Sequence, residues 1–542
     1  VLVHELSASG RAAWSSGSGA ATAAGRGAIR AKTARRGRES FSYRLQNPKS
    51  PWERADLIRA RRNRAAGHGS SPRPTSYMWS LRAVLALLAF SGGCMFALAN
   101  PIVGAITYML VYQINPNSRW WGAPLANLGF RFSMLAALFT ILGAMAAPRL
   151  LPRLRPTVTL WEMGFIMLLA IGVMNTYAFG IGPGPISHML LDKFWKLGLF
   201  LLVINRLAST RRNFRMVIWT LVIGSFYLGY DAYSAPASAF YEGRLEGVGG
   251  PDFNTTSGLA GHMSAMLPLI GLAFMTAKSW KWRAVAALAG AFAVNAIILC
   301  RTRSAFVGLA VGALTAMILA PSRRRLRIFA LLLVGGVAAA NLTDVHFWER
   351  MATMTTRESL ESDAAAMTRL DLFRAATRIV ADHPNGIGMG NFPEIVGSYD
   401  ERHRNRACHN TLLLCFVELG IQGTVVFLGM MVLTAISLIR AFRLAKHSAD
   451  PLESQLSVYC ATVAVVTYFV TGFGTERLYC ESYWWVMAVP LWIEQMVRRE
   501  AAERAPELAL RDRPLLDEAD SLLGDLTNGP STPAGRPRLA FP

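Results

Sequence analysis

HPNGIGMGNFPEIVGSYDERHRNRACHNTLLLCFVELGIQG, from His383 to Gly423, is the stretch on which the fold turns. Its first part is polar and carries glycine at 386, 388 and 390. At His409-Asn410 it changes into an apolar run that continues to about residue 440. A run of that length, without alternation, suits a helix crossing a bilayer core that needs about 20 residues; a barrel strand would alternate over about ten.

The composition extends this reading to the whole chain. Of 542 residues, 52% are hydrophobic and 17% charged, where a soluble chain carries about 25% charged residues. Apolar runs lie at about 80–98, 132–148, 158–178, 190–207, 213–231, 257–277, 282–300, 304–320, 326–341, 410–440, 456–474 and 482–497. The fold class expected is therefore all-α, a polytopic integral membrane protein of about 12 transmembrane helices. The segment 101–113 is too short to cross, and Trp120 and Trp121 after it suit the interface.

Residues 1–77 hold 15 Lys/Arg against 4 acids and show no periodicity. They read as a disordered basic segment. The first Met is Met78, so an over-extended start is also open. A membrane-embedded domain follows over 78–497, with a long loop at 342–409, and the tail 498–542 reads as disordered.

The net charge of +22 would suit nucleic acid if it were gathered on one soluble surface. Instead the basic residues fall between apolar runs, at 149–155, 209–215, 278–283, 321–327 and 440–447. With the N-terminus inside and 101–113 not spanning, all these short basic loops fall on the cytoplasmic side, which explains the charge without nucleic acid. The other side receives 179–189, 232–256, the turn at Arg301–Arg303 and the loop 342–409. The six cysteines have no metal-ligand spacing; Cys408 and Cys480 map to outer junctions, where a disulfide is open.

The outer side holds the residues with chemistry to offer. Arg244, Asp252 and Asn254 lie in the Gly-rich YEGRLEGVGGPDFN, and Arg301 and Arg303 at the mouth of a helical hairpin. Arginine outside runs against the positive-inside bias, and two such sites suggest an anionic substrate. In the long loop, Leu370, Phe373, Ala376 and Val380 fall near one face of a helix that Asp363 or Ser362 would cap and Pro384 would end. This helix would either rest on the interface, near lipid phosphate, or pack on the bundle as a lid. GIGMGNF has no preceding strand to make it a nucleotide loop, so its glycines are expected to allow a tight re-entrant turn near a ligand. Glu418, within an apolar run, needs a partner and is expected to fix neighbouring helices, while Gly420 and Gly423 permit a break or close packing. His409 is either structural or a working imidazole; His262 and His383 are alternatives.

Three stretches together, TRSAFVGLA, TRLDLFRAATRIVADHPNGIGMGNF and HNTLLLCFVELGIQG, resemble the O-antigen ligase and polymerase superfamily of bacterial inner-membrane proteins. NPIVGAITYMLVYQINPNSRWWG and DKFWKLGLFLLVINRLASTRRNFRMVIWTLVIGSFYLG resemble its exosortase-associated, O-glycosylation-ligase-like branch. The resemblance implies a multi-pass, GT-C-like glycosyltransferase with its site facing the periplasm, using neither metal nor cofactor. Its donor would be an undecaprenyl-diphosphate-linked glycan, and its acceptor a glycan, lipid or protein, with membrane lipid around it. The resemblance puts the essential histidine on His409 and the diphosphate-binding arginines on Arg244 and Arg303. Thr302-Arg303 stands where the family has Ser-Arg. Arg301, Asn410, Glu418, Asn254, Gly388 and Asn391 are supporting candidates. A polymerase and a lipid-linked sugar transporter are the competing readings. A transporter would favour inverted repeats and midplane charges; the sequence shows no clear repeat, and its polar residues gather at one face.

Overall fold

The computed structural model describes residues 81–146, 158–343 and 364–527. The basic segment 1–77, the loop at 149–155 and the expected caps Ser362 and Asp363 lie outside the described residues. By its contacts the chain divides at Pro72, and the unit from Arg73 to Pro542 holds everything described below.

Among its described residues that unit is helical, apart from one hairpin of two two-residue strands. Its helices are α1 (Leu81–Ala99), α2 (Pro101–Ile114), α3 (Ala123–Asn127), α4 (Phe132–Ala146), α5 (Leu160–Met174), α6 (Ser187–Leu207) and α7 (Arg211–Tyr233). After β1 (Phe240–Tyr241) and β2 (Arg244–Leu245) come α8 (Thr256–Thr276), α9 (Trp280–Cys300), α10 (Arg303–Leu319), α11 (Ser322–Leu342), α12 (Ala364–Asp382), α13 (Phe392–Tyr399), α14 (Thr411–Ala445), α15 (Pro451–Thr471) and α16 (Glu481–Thr527). Five of the described helical stretches have the length and apolarity to cross a membrane, and shorter apolar helices accompany them. The protein is a multi-pass membrane protein. At 14 residues, α2 spans about 21 Å, short of a core about 30 Å thick; it packs instead among α1, α4 and α7.

Six helix starts are written locally. Thr210, Thr255, Ser279, Asn410 and Asp450 accept backbone N–H groups as N-caps, and Thr159 forms a capping box with Glu162. Each satisfies a donor the helix itself leaves unpaired. Packing then relies on small residues. Ala286, Ala289, Ala293 and Ala296 form the buried ridge of α9, while Gly308 and Gly312 of α10 lie directly on Thr471 and Thr467 of α15. This small-xxx-small spacing lets backbones approach where no hydrophobic effect drives helices together. At the centre, Trp484 is fully buried against Phe165, Phe194 and Phe427. The buried indole N–H groups of Trp161, Trp484 and Trp492 donate to Thr434, the Leu478 carbonyl and Asn205.

Polar side chains collect at the two ends of the bundle. At one end Arg206 pairs with Glu162, Arg211 with Glu500, Arg215 with Glu453 and Arg498 with Glu494. The other end holds the segments that the sequence assigns outside.

Two expectations are corrected. Within α12 the buried residues are Leu372, Ala375, Ala376, Ile379 and Val380, whereas Leu370 and Phe373 are exposed. Large apolar side chains drew the stripe one step off, because an outward apolar residue meets little penalty near lipid. The last helix also continues past 497 to Thr527, where the tail read as disordered; its Ala, Leu, Glu and Arg content favours helix.

Candidate active site

The site's architecture depends on a break in α14. Gly420 has φ 72° and ψ −171° inside an otherwise helical run. The carbonyls of Val417 and Glu418 therefore lose their helical donors, which a membrane helix cannot leave open. The glycine loop supplies the missing partners: Ile387 N–H donates to the Val417 carbonyl and Gly388 N–H to that of Glu418, each at 3.0 Å, while Ile421 N–H donates to the Pro384 carbonyl at 3.1 Å. Gly386, Gly388 and Gly390 all have φ between 79° and 94°. The loop is thus re-entrant, as expected, but it is filled by protein: it mends the broken helix.

Around this splice the supporting candidates act as clamps. Glu418, 1% exposed, accepts from Phe392 N–H at 3.2 Å and from the Tyr479 hydroxyl at 2.6 Å. Asn391 donates to the carbonyls of Gly182 and Ile387, both at 2.7 Å. Asn175 and Gln422 donate to the Asn385 carbonyl.

Two residues before α14 begins, His409 adopts φ 56°, a left-handed conformation uncommon outside glycine. Glu476, from the turn between α15 and α16, holds this bend by accepting from the backbone N–H of both Cys408 and His409. Asn410 then caps the helix through Leu413 N–H at 2.9 Å. Burial, followed by the positive charges of Arg369, Arg406 and Arg244, lowers the His409 imidazole to about 4. It is therefore neutral near pH 7. Burial pushes the Glu476 carboxyl up, against the pull of its two backbone donors.

Arg244 sits on the hairpin β1–β2 and donates to the Thr256 hydroxyl at 2.7 Å. Burial, opposed by Glu246 and added to by Arg303, lowers its guanidinium. Arg301 ends α9 at φ 47°, and its guanidinium stands over Gly243, where a Cβ would come within 2.7 Å. Arg303 begins α10. Arg244 is thus within electrostatic reach of both His409 and Arg303, and these residues come from three separate segments of the chain. Asn254 is exposed and gives its carbonyl to Gly247 N–H. His262 is fully buried against the Phe253 ring, with no hydrogen-bond partner on either nitrogen. His383 caps the end of α12 through its backbone.

Residues 288–428 match the family model described as O-Antigen ligase. This match supports a likeness to the O-antigen ligase and polymerase superfamily over the stretch it covers. A comparison with curated proteins finds no match. The O-antigen ligase match takes in the Arg301–Arg303 turn, the glycine loop, His409 and the break at Gly420, but stops short of Arg244 on one side and Glu476 on the other.

Sequence reasoning named Asp252 but missed the polar group built around it beside this stretch. Asp252 accepts from Lys193 at 2.5 and 2.6 Å and from the Tyr112 hydroxyl, and its backbone carbonyl accepts from Arg477 at 2.9 Å. Burial alone would raise the Asp252 carboxyl; Lys193, the two hydrogen bonds and Arg477 together hold it below the ordinary carboxylate range. Glu481 joins through Tyr108 at 2.7 Å. The signal was available in TERLYCE at 475–481, whose three charges between apolar runs demand partners. Cys408 and Cys480 are both buried free thiols.

Proposed function

We propose that this protein moves a glycan from an undecaprenyl-diphosphate carrier to an acceptor hydroxyl at the outer face of the bacterial inner membrane. His409 is the general base and Arg244 and Arg303 hold the diphosphate. The observation that carries the reading is the placement of His409: its left-handed bend, held by the Glu476 carboxylate, sets the imidazole in the combined field of Arg244, Arg369 and Arg406. Such a field suits a dianion placed beside a base.

In the reaction, His409 takes the proton of the acceptor hydroxyl as that oxygen attacks the anomeric carbon. The bond from that carbon to the diphosphate oxygen breaks, and its electron pair leaves with the carrier. Charge grows on the leaving oxygen, where charge-assisted hydrogen bonds from Arg244 and Arg303 strengthen. The attack comes from the face opposite the carrier, so the anomeric centre inverts. The arginines supply the positive charge this step needs, and one base suffices, unlike hydrolysis by paired carboxylates.

A deletion strain tests the assignment as a ligase: finished glycan left on its carrier supports it, whereas accumulated single repeat units make the enzyme a polymerase. Reconstitution in vesicles with a lipid-linked donor tests transfer itself. Failure to form any glycosidic product, with donor moved across the bilayer instead, refutes the enzyme.

A further inference from the structure

Asp371 on α12, Asp400 just after α13 and His403 at the end of the one-turn helix Glu401–His403 form a separate cluster. One donor atom from each lies within 4.8 Å of the others. His403 Nε2 is 3.5 Å from Asp371 Oδ2 and 3.8 Å from Asp400 Oδ2. Those gaps exceed a hydrogen bond, which ends near about 3.2 Å. They match the spacing of two ligands on one ion, because bonds of about 2.1 Å at the tetrahedral angle set ligand atoms about 3.4 Å apart.

His403 provides the independent sign. It is 8% exposed, and neither ring nitrogen has a hydrogen-bond partner. A buried imidazole is seldom left so, and this one is turned toward two carboxylates. Arg402 now supplies the counter-charge, at 2.7 Å from Asp400 Oδ2 and 3.4 Å from Asp371 Oδ2, but its side chain is 72% exposed. Arg402 forks Asp400, with Nε also donating to Oδ1 at 3.0 Å, but solvent screens a pair this exposed, so a divalent ion competes with it for the carboxylates. Asp400 is fixed independently, since its Oδ1 accepts the backbone N–H of Arg402.

We propose that Asp371, Asp400 and His403 bind a divalent cation of the class that accepts one imidazole and two carboxylates, such as Zn2+ or Mn2+, with water completing the shell. The ion pins α12 to the segment that runs into His409. Because α12 carries Arg369 and that segment carries Arg406, it fixes two of the charges that bear on His409. This consequence rests on the role proposed for His409; the binding itself does not.

Zn2+ titrated by calorimetry into the full-length, tag-free chain, stripped with chelator in detergent, tests the binding apart from any transfer assay. Wild type is expected to take one ion. Asp371→Asn and His403→Gln are each expected to weaken binding at least tenfold. Arg402→Ala is expected to bind as well or better, its competing cation being gone. No stoichiometric ion in wild type, or equal affinity in the two ligand variants, overturns the site. Should the ligand variants fail to fold, weaker binding by Arg402→Ala overturns it alone.

Discussion

His409 combines a left-handed backbone with a half-buried, neutral ring. Holding such a residue costs on the order of 1–3 kcal/mol, and the Glu476 carboxylate and the Asn410 cap offset it. His409→Ala should therefore keep the melting temperature close to wild type while lowering transfer by about 10²–10⁴-fold, the usual contribution of a general base. Full activity in reconstituted vesicles would end its candidacy. The pH profile is a second test. The folded value of about 4 lies below the ordinary value of about 6.5. Between these two the unfolded chain holds a proton that the folded chain does not. This group therefore makes stability rise with pH across that window and adds nothing above it. Transfer should show its acidic limb near 4, and Arg406→Gln should move that limb upward; a limb near 6.5 in wild type would contradict this setting. His409 was legible because a histidine before an apolar run is visible in one line of sequence. For Glu476 only the need of a partner was visible, because the partners themselves are backbone groups far away in the chain.

At the scale of the element, the splice between α14 and the glycine loop is the feature most exposed to mutation. An alanine at 420 would need the φ of 72° and would drive its Cβ into the Asn385 carbonyl. Backbone strain alone costs about 1–3 kcal/mol, and the clash would also push out the loop that satisfies Val417 and Glu418. Gly420→Ala should therefore lower the detergent melting temperature sharply and raise proteolysis at the loop; a melt like wild type would show that the break is dispensable. Glu418→Ala leaves Phe392 N–H and the Tyr479 hydroxyl without an acceptor, at about 1–3 kcal/mol for each buried group, and Glu418→Gln, which keeps an acceptor, should recover much of that loss. The need for a partner at Glu418 and a break at Gly420 could be read from residue type. What fills the break could not, because GIGMGNF has no pattern that names its neighbour. The face of α12 was misread for a related reason: near lipid, Leu370 and Phe373 gain little from turning inward, so apolar spacing stops marking the core.

For the whole molecule, the decisive question is which polar end faces which compartment. At one end Arg206, Arg211 and Arg215 flank the short connection between α6 and α7, and they and Arg498 are paired with acids. The opposite end is also rich in arginine: Arg369, Arg374, Arg378, Arg402, Arg404 and Arg406 all stand there. Charge alone does not separate the ends. The distinction is loop length, since positive-inside bias acts through short loops and long ones cross regardless of charge; these arginines belong to the one long loop, 342–409. On that argument we propose that the His409 end is periplasmic. All six native cysteines are buried, so single added thiols can report the topology against a low background. Ala237→Cys, on an exposed turn beside the Arg244 hairpin, should react with a membrane-impermeant maleimide in intact spheroplasts. His447→Cys, exposed after α14 at the opposite end, should react only once the membrane is opened. The reverse pattern would put His409 and its arginines in the cytoplasm, where a carrier-linked glycan already moved outside could not reach them, and the transfer proposed here would fail with it.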